Sequence, residues 1–181
     1  IYNRTKSKVE NLGYKIVKNP KKLIEECDTV FMCLFESSAV ENILTMQDGL
    51  LEADLTGKMI IDLTTNHYLQ VLTFHERINE KGGEYLESPI FGSVAPALQG
   101  LVTIVASGKK ETFEECKPLL EKIGKEIFYL KDEGQASKMK LINNLCLGSF
   151  MATLAECTAL GEACDIEKAK LLEILGVGGG Q

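Results

Sequence analysis

The feature that most constrains this chain is the alternation of short apolar runs with helical stretches through its first two-thirds. Thr29-Val30-Phe31-Met32-Cys33-Leu34-Phe35 has the composition of a strand buried on both faces. Met59-Ile60-Ile61-Asp62-Leu63 repeats the pattern and ends at an acid followed by two threonines. Tyr14–Val17, Leu101–Ala106 and Glu126–Leu130 predict further strands. Between them, Lys6–Leu12, Lys21–Cys27, Ser38–Leu44, Tyr68–Lys81 and Glu111–Ile123 read as helices, with glycines at their ends. Strand alternating with helix predicts βαβ units, hence an α/β domain with a doubly wound sheet.

The pattern changes at Lys131-Asp132-Glu133-Gly134. From Gln135 to about Cys164 the only breaks are Gly148 and Gly161, and apolar residues fall on nearly every face. A helix of that length would span about 45 Å, longer than one small domain needs. Its all-round apolar surface predicts burial inside protein or between domains. Asp165-Ile166-Glu167 then opens another helix through Leu175. The predicted division is an α/β domain over residues 1–132, then an interdomain helix and the start of an all-α domain over 133–181.

Composition narrows the function. The chain has 181 residues, 45% apolar and 25% charged, a globular balance. A net charge of −6 and a pI of about 5.1 argue against nucleic acid as a partner, since phosphate binding needs a basic surface. No stretch supplies the roughly 20 consecutive apolar residues of a membrane span; the run Leu141–Ala155 is interrupted by Asn143 and Asn144. Six cysteines form no C-x-x-C pair and mostly sit in apolar runs, so buried free thiols in a reducing compartment, the cytoplasm, are expected. Two histidines leave few ligands for zinc, and no metal site is expected. Residue 1 is not Met, Ile1-Tyr2-Asn3 reads as the tail of a strand, and no signal peptide is visible, so the chain reads as an excerpt.

Four stretches could carry chemistry. Asn3-Arg4-Thr5-Lys6 ends the first strand with no acid. In a doubly wound nucleotide-binding fold an acid there favours NAD, whereas an arginine accommodates the 2′-phosphate of NADP. A plain basic loop with Thr5 as N-cap is the bland alternative. Asp62-Leu63-Thr64-Thr65-Asn66 puts hydroxyls at the carboxyl end of a strand, where open α/β sheets bind ligands, or else caps the next helix. Glu87 to Gly100 contains Gly92-Ser93 before a short helical stretch, where backbone amides could receive a carboxylate; a buried structural turn is the alternative. Lys140 and Asn144 are spaced i, i+4 on the long helix, with Asn143 beside them. Burial of a lysine lowers its pKa toward neutrality and makes it a usable general acid–base, unless the side chain snorkels to solvent. His67 is expected to start a helix at the surface.

These stretches, in this order, resemble the β-hydroxyacid dehydrogenases, the 3-hydroxyisobutyrate dehydrogenase-like group that includes glyoxylate/succinic semialdehyde reductases. Lys138-Met139-Lys140-Leu141-Ile142-Asn143-Asn144 is similar to that group's K-x-K-L-x-x-N helix. Asp62-Leu63-Thr64-Thr65 is similar to its D-x-S-T motif, and Ser88–Ser93 to its A-P-V-S-G-[GS] loop. The resemblance implies a Rossmann-like domain that binds NADP, with NAD the weaker expectation, through Asn3, Arg4, Thr5, Leu34 and Thr65. It implies a small hydroxy- or aldehyde-acid substrate held by Ser88, Phe91, Gly92 and Ser93. Lys140 would be the general acid–base and Asn144 would orient the reacting oxygen. A homodimer or homotetramer is implied as well. Phe91 departs from the pattern, standing where the group has a serine, which predicts a reshaped, more apolar pocket. Two other readings stay open. One is a non-catalytic interaction and oligomerisation module, the other an imine reductase-like enzyme; Lys140 weighs against both, since such relatives have lost or replaced the lysine.

Overall fold

The structure, a computed structural model, describes residues 1–178; the last glycines of the Gly176–Gly180 run and Gln181, the end of the expected second domain, lie outside them. The described residues form a six-stranded sheet. Its strands are β1 (Thr29–Met32), β2 (Met59–Asp62), β3 (Glu84–Glu87), β4 (Ile90–Phe91), β5 (Val102–Ser107) and β6 (Gly124–Leu130). The order is β1-β2-β3-β5-β4, with β6 also paired to β5. The β1–β2, β2–β3 and β5–β6 pairs are parallel; β5 runs antiparallel to β3 and β4. Helices are α1 (Pro20–Glu26), α2 (Ser37–Thr45), α3 (Tyr68–Glu80), α4 (Val94–Leu98), α5 (Lys110–Leu120), α6 (Gln135–Ala163) and α7 (Lys168–Val177).

Alternation along the strands builds two cores, one on each face of the sheet. Ile60 and Tyr85 join Ile24, Val40, Leu44, Val71, Phe74 and Ile78 of the helices α1, α2 and α3. Their neighbours Met59, Ile61 and Leu86 point the other way, into Val102, Ile104, Phe113, Cys116 and Leu120. Fully burying one such Leu or Ile contributes about 1.5–3 kcal/mol. This is the expected doubly wound α/β arrangement, with helices on both faces of the sheet.

Several local expectations are corrected. Tyr14–Val17 forms no assigned strand. It is tied to Ile1 by two hydrogen bonds, Val17 N–H to the Ile1 carbonyl (2.9 Å) and the Ile1 amine to the Lys15 carbonyl (2.5 Å). Lys6–Leu12 forms two 3₁₀ turns, Lys6–Lys8 and Glu10–Leu12, instead of one α-helix; of its seven residues only Val9, between the turns, is buried, too little packing to close an α-helix. The Thr29–Phe35 run is not buried on both faces: Phe31 is exposed and Phe35 is 93% exposed. Two strands carry no local signal in the sequence. β3 carries Glu at both ends, and β4 is two residues long, so neither shows an apolar run. Of the six thiols, all free, Cys116 is buried while Cys33, Cys146 and Cys164 are exposed.

The chain divides into two compact units, Ile1–Lys140 and Leu141–Gln181, with the division inside α6. In the second unit α6 and α7 pack at Gly161, where an added Cβ would meet the Leu171 side chain at 2.6 Å. Leu145, Leu147, Phe150 and Met151 of α6 are exposed.

Candidate functional site

The parallel strands β1, β2 and β3 end side by side, because their register pairs Met32 with Asp62 and Asp62 with Glu87. The backbone beyond these ends is stitched together by polar groups. The Asp62 carboxylate is fully buried and accepts from the Tyr85 hydroxyl (2.6 Å), the Asn66 amide (2.8 Å) and the Thr64 N–H (2.9 Å). Burial pushes its carboxyl up, and the bonds from Thr64, Tyr85 and Asn66 pull against that shift. The Thr64 hydroxyl oxygen in turn accepts from the Leu34 N–H at 3.0 Å, joining the loop after β1 to the loop after β2. The Ser88 N–H donates to the Asp62 carbonyl at 2.7 Å, adding the segment after β3. Thr65, half-buried, follows this ordered turn. His67 starts α3 as expected, its Nδ1 accepting from the Leu69 N–H.

A cleft of about 750 Å³ opens beside this edge. Asn3, Arg4 and Thr5 line one part of it, and Cys33, Leu34 and Phe35 another. That volume is within the range of small-molecule and cofactor pockets. Asn3 shapes the first part, its side-chain oxygen accepting the Thr5 N–H at 2.8 Å. Thr5 precedes the first 3₁₀ turn but makes no side-chain cap bond. Arg4 is exposed and has no carboxylate partner among the described residues, so its guanidinium is available to an anion. The cleft therefore fits a phosphorylated nucleotide. It gathers Asn3, Arg4, Thr5 and Leu34, while Thr65 is not part of its lining. Cys33 is exposed as a residue, but partial desolvation of its thiol and the charge of Asp62 push its pKa up, which opposes a thiolate.

The Ser88–Ser93 segment meets α6 at Lys140. The Lys140 ammonium donates to the Ile90 carbonyl at 2.7 Å and stands over the Phe91 ring, 4.8 Å from its centroid. It does not simply snorkel to water: burial lowers its pKa. Lys138, two residues earlier, is exposed and sits over the Tyr68 ring. Ser88 is buried and its hydroxyl has no partner among the described residues. Gly92 has φ +135°, and an added Cβ would also stand 3.2 Å from Val102, so only glycine fits there without strain. Ser93 precedes the five-residue α4 and is exposed, like Gly92. Asn144 is exposed on α6, one turn beyond Lys140 and in the second unit. Among the described residues, no three His, Cys, Asp or Glu side chains gather into a metal-ligand cluster.

Sequence reasoning gave no role to Glu87. It is 1% exposed, and its carboxylate holds the start of α6 through Gly134 and Ser137. The signal was a charged residue inside Tyr85-Leu86-Glu87-Ser88-Pro89, a segment otherwise without charge.

The family described as the NAD binding domain of 6-phosphogluconate dehydrogenase matches residues 1–131, and this chain belongs to it. Within that class the β-hydroxyacid dehydrogenase resemblance holds. The chain is 35% identical to glyoxylate/succinic semialdehyde reductase 1 of Arabidopsis thaliana over 181 residues, covering 98% of this chain and 63% of the relative. It is 32% identical to the cytokine-like nuclear factor N-PAC of Mus musculus, covering 98% of this chain and 32% of that protein. Its fold matches Mycobacterium tuberculosis 3-hydroxyisobutyrate dehydrogenase with a TM-score of 0.86 at 21% identity, over 99% of this chain and 62% of that one. The chain thus spans less than two-thirds of the length of each.

Proposed function

We propose that this chain is the dinucleotide-binding part, with the start of the helical part, of an NADP-dependent oxidoreductase acting on small β-hydroxyacids or semialdehyde acids. The observation that carries this reading is Lys140. Its ammonium is drawn out of water and held against Ile90 and Phe91, next to the carboxyl ends of the sheet strands. Ligands of open α/β sheets bind outside those ends.

In this reading residues 1–132 bind the cofactor, and residues 133–181 begin a helical domain for substrate and dimer contacts. Arg4 and Thr5 receive the 2′-phosphate, with Asn3 shaping their turn, and Leu34 and Thr65 flank the rest of the dinucleotide. NADPH, when bound, supplies a hydride. Lys140 gives a proton to the carbonyl oxygen in reduction and takes one from the hydroxyl in oxidation. Asn144 orients the reacting oxygen. Ser88, Gly92 and Ser93 hold the carboxylate, and Phe91 walls the pocket with an apolar ring. The localisation that goes with such chemistry is cytoplasmic. Among the described residues no helix is long and apolar enough to cross a membrane.

The test follows NADPH absorbance in the full-length protein with glyoxylate, succinic semialdehyde, tartronate semialdehyde and methylmalonate semialdehyde, beside Lys140→Met. Turnover that falls by about 10²–10⁴ in the variant supports the reading. Turnover that survives the substitution overturns Lys140 as acid–base. NADPH binding without turnover of any of the four would favour a binding role, the alternative to which the nuclear relative points.

A further inference from the structure

Glu87, Ser107 and the first turn of α6 form one closed polar joint. Register places Glu87 opposite Ser107 across the β3–β5 pair. The Glu87 carboxylate accepts from the Ser107 hydroxyl, the Gly134 N–H, the Ser137 N–H (2.9 Å) and the Ser137 hydroxyl. The Ser107 hydroxyl oxygen in turn accepts the Ala136 N–H at 2.9 Å. Three of the amides that a helix N-terminus leaves without intrahelical partners are thereby satisfied by two side chains of the sheet. Glu87, Ser107, Ala136 and Ser137 are all essentially buried. Four donors aimed at one carboxyl group favour its charged form, and the positive end of the helix adds to that. Burial pushes the carboxyl in the opposite direction.

The joint lies one helical turn before Lys140. It also lies three residues before Ile90, whose carbonyl holds the Lys140 ammonium. The β3–β4 segment and the helix are therefore pinned together at two points, Glu87 of β3 to Ser137 and Ile90 of β4 to Lys140. The first point consists entirely of buried groups, and the second of the working lysine.

We propose that Glu87 is a positioning residue for Lys140: its carboxylate clamps the first turn of α6 to the end of β3 and so sets where the lysine stands over Ile90 and Phe91. This rests on the reading of Lys140 as the acid–base. Glu87 touches neither substrate nor cofactor. A Gln side chain keeps the shape but offers one acceptor oxygen and turns an NH₂ group toward the donors. An Asp side chain keeps the charge but is one methylene short.

The experiment uses full-length protein carrying Glu87→Gln, Glu87→Asp or, as a control on the same strand, Glu84→Gln. Glu84 binds Lys109 and Thr112 at the other end of β3. With NADPH and whichever of the four aldehyde acids is turned over, Glu87→Gln is expected to lower kcat about tenfold or more, as a small misplacement does. The KM for NADPH should stay within about twofold. Glu87→Asp should recover part of kcat, and Glu84→Gln should leave it unchanged. A second readout needs no turnover: reductive methylation of Lys140 relative to Lys138, measured by mass spectrometry. The desolvated lysine should react faster than its exposed neighbour in the parent protein, and Glu87→Gln should bring the ratio toward one. A ratio and a kcat both unmoved by Glu87→Gln overturn the proposal. Lys140→Met with full activity overturns the acid–base reading instead, and the methylation ratio then still decides whether Glu87 places the lysine.

Discussion

At the residue scale the proposed chemistry rests on two cations in different situations. Lys140 is half out of water, so its pKa lies below the ordinary lysine value of 10.5. The sign of its effect depends on direction. Reduction needs the ammonium, so kcat/KM for aldehyde reduction should fall as pH rises through that lowered pKa. Oxidation needs the free amine, so its rate should rise over the same interval. Matched pH profiles in the two directions check this, and parallel profiles would remove Lys140 from the proton transfer. Arg4, by contrast, is exposed and lacks a carboxylate partner among the described residues. Arg4→Ala should raise the KM for NADPH by about tenfold or more while changing that for NADH little, because a charge-assisted bond to phosphate contributes about 1.5–3 kcal/mol. Equal effects on the two cofactors would count against a 2′-phosphate site. Arg4 and Lys140 were both legible in the sequence, the first as a missing acid and the second as a lysine spaced i, i+4 from Asn144 on an apolar helix. Lys140's partners were not legible. Ile90 and Phe91 are about fifty residues away in the chain, and nothing local selects them.

At the element scale the sheet depends on close approaches that side chains would block. Gly124 opens β6, and an added Cβ would stand 2.8 Å from the Val102 carbonyl oxygen, a backbone atom with little freedom to move. Gly124→Ala should cost about 1–3 kcal/mol, read as a lower urea midpoint at unchanged m-value. An unchanged midpoint would mean that the β5–β6 pairing relaxes freely. On α3, His75 is buried against Tyr85, with Nδ1 3.3 Å from Glu133. Burial, then the charge of Lys109, push its pKa down to about 4, so the ring is neutral at pH 7 and its approach to Glu133 is no ion pair there. Above pH 6.5 the ring is neutral in both states. As pH falls below 6.5, the unfolded chain takes up a proton that the folded chain refuses, so stability drops until about pH 4. The total is about 3 kcal/mol. Thermal melts from pH 7 to pH 4 should show this slope, reduced in His75→Gln. An equal slope in the variant would assign the loss to carboxylates.

At the scale of the whole molecule, the second unit carries an apolar surface that its own two helices do not cover. Leu145 is 71% exposed and Leu160 66%. A helix apolar on all sides belongs inside an assembly or a larger domain. On the proposed reading of residues 133–181 as the start of a dimerisation domain, the full-length protein should sediment as a dimer or tetramer. A monomer would count against the proposed role of residues 133–181 in assembly.

The amino-acid sequence by itself determined the alternation of strand and helix, the long helix from Gln135, and the placement of Arg4, Asp62, Gly92 and Lys140 at element ends or on one helix face. Those features are local, because hydrophobic periodicity and end-capping act over a few residues. Only the tertiary structure decided that β5 runs antiparallel to β3 and β4, that Phe31 faces outward, and that Asp62, Glu87 and Ser107 lie in one row across the sheet. Register joins residues 20 to 25 positions apart there, and strand direction is set by which apolar faces the two cores can bury together. The Glu87 joint belongs with these, since a buried carboxylate is tolerable only where donors from distant segments converge on it.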